Sequence, residues 1–170
     1  MSTLEIRFKD LIFDKNVQQF CNNSRYKCPN YNHSWGCPPE APYLEDKVSE
    51  YSHYLLVYAK TDITENKHNN AQIKREFENE MESAKEQVLQ KSDDVLLLWG
   101  GHCDLCYTRL GKKCTYDSEE PCRFPIEIRY SMEAVGINVD ATVKKIGIDL
   151  QWPPKDYIYR FGLICYNLPS

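Results

Sequence analysis

The rhythm of apolar and polar positions changes several times along this chain, and each change marks an element. Residues 4–13, LEIRFKDLIF, partly alternate and predict a first strand. Residues 17–43 are dense in Asn, Pro, Tyr and Cys, keep no period, and read as a loop wrapped around something. A short helix is expected near 44–50. Residues 53–60, HYLLVYAK, are rich in aromatic and branched side chains and predict a buried strand. In residues 66–91, Ile73, Phe77, Met81, Ala84 and Val88 recur at steps of three and four, one apolar stripe of a helix. The charges on the rest of that helix read as a solvated outer face. Residues 94–100, DVLLLWG, predict a strand buried on both faces. Strand, helix, strand is a βαβ-like order, so 53–60 and 94–100 are expected to run parallel.

Further on, residues 131–135 look like a first helical turn with Ser131 as its cap. Residues 140–147 read as a short helix from Asp140 to Gly147. Residues 157–167 predict a last strand, and Gln151-Trp152-Pro153-Pro154 reads as a packed surface loop. The expected fold is α/β or α+β: a small, partly parallel sheet with helices packed on it. Cysteine-rich loops 20–43 and 100–125 are expected to gather at one end, since sites in open α/β sheets collect where strands end.

Composition narrows the class. The chain has 170 residues, 42% hydrophobic and 27% charged, as ordinary globular domains do, and a net charge of −4. By length, residues 1–170 form one domain. The acidic balance argues against a nucleic-acid partner. No stretch is long and apolar enough for a bilayer. The N-terminal MSTLEIRFKDLIFDK lacks the apolar core of a signal peptide, so the expected compartment is the cytoplasm.

In a reducing compartment, eight cysteines point to metal ligation or redox chemistry rather than disulfides. Seven of them cluster. Cys103, Cys106, Cys114 and Cys122 form C-x2-C-x7-C-x7-C. The C-x2-C pair presents two thiolates from one tight turn, and the longer spacers bring two more from other directions. Zinc and a [4Fe–4S] cubane both accept four sulfurs. Zinc sites favour paired short spacings, whereas wide loops suit the bulkier cluster. Prolines at Pro38, Pro39, Pro121 and Pro125 beside the cysteines favour iron–sulfur, because proline rings pack near the sulfurs and limit water. Zinc stays open as the alternative.

Cys21, Cys28 and Cys37 form C-x6-C-x8-C, one ligand short of a complete set. They are either inert thiols in a loop anchored by Tyr31 and Trp35, or ligands of a second cluster. Its fourth position could fall to Cys165, His33, His102, Asp104 or an exogenous ligand. Cys165, in apolar FGLICYN, reads better as a core thiol. His33, His102, Arg129 and Glu133 are candidate helpers by position. Arg25, Arg109, Lys112, Lys113, Arg123 and Arg129 could offset thiolate charge, though singly each reads as a surface cation.

Three segments, CPNYNHSWGCPP, CDLC…PCRFP and RYSMEAVGINV, together resemble a family of predicted metal-binding proteins of anaerobic archaea and bacteria. Its marks are Trp-x-Cys-Pro-Pro and Pro-Cys-Arg-x-Pro, followed by Ser-x-Glu-Ala-x-Gly-Ile. The resemblance covers roughly residues 20–165. It implies metal ligation by Cys21, Cys28, Cys37, Cys103, Cys106, Cys114 and Cys122 as iron–sulfur clusters, and places Ser131, Glu133, Ala134 and Gly136 in a shared turn. Three functions follow as expectations. The first is a carrier or redox accessory protein with one or two [4Fe–4S] clusters and a protein redox partner. The second is an enzyme acting on a small molecule at an open iron of the three-cysteine group, by dehydration or desulfuration. The third is a zinc-stabilised binding module.

Overall fold

In the computed structural model, the described residues are 2–25, 27–64, 70–151 and 154–169. Four strands form one sheet in the order β1-β2-β4-β3: β1 is Ser2–Ile6, β2 His53–Asp62, β3 Asp94–Leu98 and β4 Tyr157–Asn167. The helices are α1 (Glu45–Ser49), α2 (Asn70–Leu89), α3 (Leu105–Leu110) and α4 (Val139–Lys145), joined by short 3-10 turns.

Every paired strand is antiparallel to its neighbour, which corrects the partly parallel sheet. β2 and β3 do point the same way, because each is antiparallel to β4. The expectation erred on adjacency: the longest and most buried strand inserts itself between them. β4 carries Phe161, Leu163, Ile164, Cys165 and Tyr166, all buried, and the centre of the sheet is where such a strand removes most surface from water. β3 is thereby an edge strand with its middle residues half-buried, not covered on both faces. β1 ends at Ile6, where the alternation of 4–13 gives way to a 3-10 turn at Phe8–Asp10.

Side-chain alternation sends the sheet into two cores. Val57, Ile164 and Tyr166 meet the α2 stripe of Phe77, Met81, Ala84 and Val88 on one face. Tyr54, Leu56, Leu163 and Cys165 meet Met132, Val135, Ile137 and Val143 on the other. Cys165 is therefore a core thiol, paired in register with Tyr54 and Leu96 and fully buried. The short C-terminal helix is capped by Asn138, whose side chain accepts from the Ala141 amide, rather than by Asp140. Residues 66–69 of the expected helix and Trp152-Pro153 of the expected surface loop lie outside the described residues.

Candidate metal centre

The chain leaves the sheet at Trp99 and enters the central cysteine run. The Trp99 amide donates to the Tyr130 carbonyl at 2.7 Å, and Trp99 bridges to Ser131, so residues 128–131 run beside this exit. Cys103 precedes α3 and Cys106 lies in its first turn, which is why two intervening residues suffice to aim both thiols from one place. The helix stops at Gly111, and Cys114 follows. Buried Thr115 then closes the run. Its hydroxyl donates to the Pro121 carbonyl at 3.0 Å, holding the residue before Cys122 beside the residue after Cys114.

All four of these cysteines line one cavity of about 490 Å³. Cys103 and Cys114 are half-buried, as is Cys122, and Cys106 is buried. Burial raises the Cys122 thiol first; the Phe124 backbone amide opposes it, and the thiols of Cys103, Cys106 and Cys114 add to it. Among the described residues no three His, Cys, Asp or Glu side chains converge on the position of a single metal ion.

The N-terminal loop forms part of the same wall. Trp35 Nε1 donates to Thr115 Oγ1 at 3.2 Å, and the Trp35 ring meets Tyr116 edge-on at 4.9 Å. The Tyr116 hydroxyl lies 3.0 Å from Asn32 Oδ1, and His33 Nδ1 lies 2.8 Å from Asp117 Oδ1. At Gly36 the fit is tight. A Cβ there would sit 2.8 Å from the Arg129 carbonyl oxygen and 2.9 Å from Cys103 Cβ, so no side chain fits. The loop thus folds back against the end of β3, as required if the two cysteine groups share a region.

Cys21 and Cys28 meet through a small hairpin: the Cys28 amide donates to the Cys21 carbonyl at 2.8 Å, and Asn22 bridges Lys27. Burial pushes the Cys21 thiol up to about 11, with Cys28 and Glu133 adding to the shift. Burial likewise pushes Cys37 up to about 12; the Ser34 hydroxyl opposes it, while Cys28, Cys21 and Cys103 reinforce it. Cys103 is the thiol within electrostatic reach of both groups. None of Cys21, Cys28 and Cys37 lines the 490 Å³ cavity.

The candidate helpers separate. His33 and His102 both line the cavity. Surrounding protein and then the Lys74 cation hold His102 below its ordinary value, with Asp104 opposing and Arg160 assisting. Arg129 is committed elsewhere, stacked 3.8 Å over Trp99 and paired with Glu78 at 3.3 Å and Glu82 at 3.1 Å. Protein packed around the Glu133 carboxyl pushes it up, while its own amide and the Ser131 hydroxyl pull it down. Glu133 still presents surface to solvent, which screens it. Ser131 caps the turn by accepting from the Ala134 amide at 3.1 Å, and Gly136, at φ +98, lies where a Cβ would strike the Tyr43 ring. Arg109 pairs with Glu127 on the surface, and Arg123 donates to the Lys113 carbonyl.

Two residues that the sequence reading assigned to the solvated face of α2 belong to the site. Lys74 and Glu78 are 8% and 6% exposed. Lys74 Nζ donates to Asp104 Oδ2 at 2.6 Å, between Cys103 and Cys106. It also lies 2.6 Å from Glu78 Oε1, an ion contact without hydrogen-bond alignment. This network ties the C-x2-C turn to α2. The signal was present in the sequence: Lys74 and Glu78 directly follow stripe residues Ile73 and Phe77 at the i,i+4 spacing of an ion pair.

A family model described as predicted metal-binding protein (DUF2284) matches residues 4–166. No curated protein and no solved structure matches the chain.

Proposed function

The chain belongs to this family of predicted metal-binding proteins, and from that premise we propose that it is an iron–sulfur protein acting as an electron carrier or redox accessory protein. The cluster is held by Cys103, Cys106, Cys114 and Cys122. One observation carries the reading: four free thiols line a single cavity of about 490 Å³. Four thiolates can hold a [4Fe–4S] cluster, and the wide spacing of Cys114 and Cys122 in the sequence favours it over zinc. Bound there, a cluster supplies one-electron transfer or, where an iron keeps a free position, Lewis acidity toward a substrate oxygen.

The chain's own residues do the rest. Lys112 and Lys113 bring positive charge to the wall, offsetting thiolate charge. Trp35, Phe124 and Ile128 supply apolar surface that limits water. Loading displaces thiol protons, and because the Cys122 thiol is raised, affinity rises with pH.

A second reading, an enzyme with an open site at Cys21, Cys28 and Cys37, draws on the mutual proximity of those three thiols with Glu133 beside Cys21. Cys165, buried in the sheet, supplies no fourth ligand there. Anaerobic purification with iron, sulfide and zinc analysis, and EPR before and after reduction, tests both. Iron and sulfide in equal amounts with a reversible signal are expected. A colourless protein carrying zinc overturns the cluster, and loss of one iron on mild oxidation favours the open-site enzyme.

A further inference from the structure

A second cavity, about 430 Å³, lies on the other side of the C-x2-C turn, between the start of α2 and β4. Lys74, Arg75, His102, Asp104, Tyr107 and Arg160 line it. That volume suits a small molecule. His102, Asp104 and Tyr107 also line the cysteine cavity, so the two spaces share a wall.

The charges around it do not balance. Lys74, Lys85 and Arg129 pair with Glu78, Glu82 and Asp104, three cations with three carboxylates. Arg160 stands outside that set. Among the described residues no carboxylate lies within ion-pair distance of it. Its Nη1 donates to the Gly100 carbonyl at 3.2 Å and its Nη2 to the Asn70 carbonyl at 3.4 Å. Its Nε is enclosed without a partner. Arg75 likewise has no ion pair among the described residues. Among the described residues the one carboxylate on the wall, Asp104, is held by Lys74, and no acidic residue occupies the described first turn of α2. A partly buried guanidinium met only by carbonyls is a cation short of its counterion.

We propose that this cavity binds a small oxyanion, a phosphate or carboxylate group, with Arg160 as its principal partner and Arg75 at the rim. The planar guanidinium fork matches both oxyanions bidentately. The ligand would lie one turn of chain from Cys103, placing a small charged molecule beside the metal centre. The site rests on its own residues and not on the identity of the metal.

Isothermal titration of the anaerobically purified protein with inorganic phosphate, and separately with malonate, tests it. One-to-one binding of at least one of them is expected, and the stronger heat distinguishes the phosphate source from the carboxylate source. Arg160→Gln should weaken that binding at least about tenfold, and Arg160→Lys less. Ala71→Asp, at an exposed position on the cavity lip, should also weaken it about tenfold by adding a like charge, and guards against a folding defect in the Arg160 variants. No binding of either anion up to about 10 mM, or equal binding by Ala71→Asp and well-folded Arg160→Gln, overturns the proposal. Iron analysis of the same sample separates the two readings. Zinc in place of iron with binding intact sinks only the cluster, and iron without anion binding sinks only this site.

Discussion

The two cysteine groups lie against each other but are built on different plans. The central group is a frame around a space. A helix start aims Cys103 and Cys106, the Thr115 hydroxyl closes the loop to Cys122, and Lys74 fastens the turn to α2. Cys21, Cys28 and Cys37 form no frame. They sit in a hairpin and a tight turn, with Cys37 buried and Gly36 set against Cys103. Four thiols on rigid supports can surround an occupant, whereas three thiols packed in a loop depend on what their neighbour provides.

Separating the groups by mutation gives the largest expected effect. Cys106→Ser should remove nearly all metal bound at the central site, while Cys28→Ser should leave that portion in place; metal analysis per chain reads both. Equal loss in the two variants would merge the groups into one site. Lys74→Met comes next. It removes the cation of half-buried Asp104 and leaves buried Glu78 with Arg129 alone, and breaking a buried pair costs about 3–5 kcal/mol. Chemical denaturation should show that loss, along with weakened metal retention at the central group. Gly36→Ala forces a methyl against backbone oxygen and Cys103, a strain of about 1–3 kcal/mol. Its melting temperature should drop, and the N-terminal loop should become accessible to protease first.

The smallest effect uses Cys165 as the reference thiol outside both groups. Burial raises its pKa, so the folded chain keeps a proton that the unfolded chain loses above the ordinary thiol value. The unfolded state then binds fewer protons, and stability falls as pH rises through that range, by up to roughly 1.4 kcal/mol per pH unit. Below the ordinary thiol value this contribution is complete. Denaturation curves at mildly and strongly alkaline pH should show the slope, and Cys165→Ala should flatten it. An unchanged slope in that variant would assign the alkaline loss to the metal-site thiols.

Much of this was legible along the chain. The α2 stripe from Ile73 to Val88 and the run from Tyr157 to Asn167 announced themselves, because burial of one helical face or a whole strand leaves a period or an unbroken apolar stretch. The cysteine spacings marked four thiols that line one cavity, because a turn that presents two thiols together needs two residues between them. Lys74 and Glu78 escaped, since a charge on a helix looks the same in sequence whether water or Asp104 meets it. Arg160 escaped for the same reason, sitting in a strand otherwise read as apolar core.

What the sequence determined alone was local: which segments bury a face, which loops carry thiols, and that seven of the eight cysteines fall into two sets. Those follow from side-chain chemistry and backbone period, which act over a few residues. What the tertiary structure decided was every relation between distant segments. It inserted β4 between β2 and β3, set Gly36 against Cys103, and brought Lys74 to Asp104 across thirty positions. Such pairings depend on which arrangement of the whole chain buries the most apolar surface while leaving each buried charge a partner, and no single stretch contains that comparison.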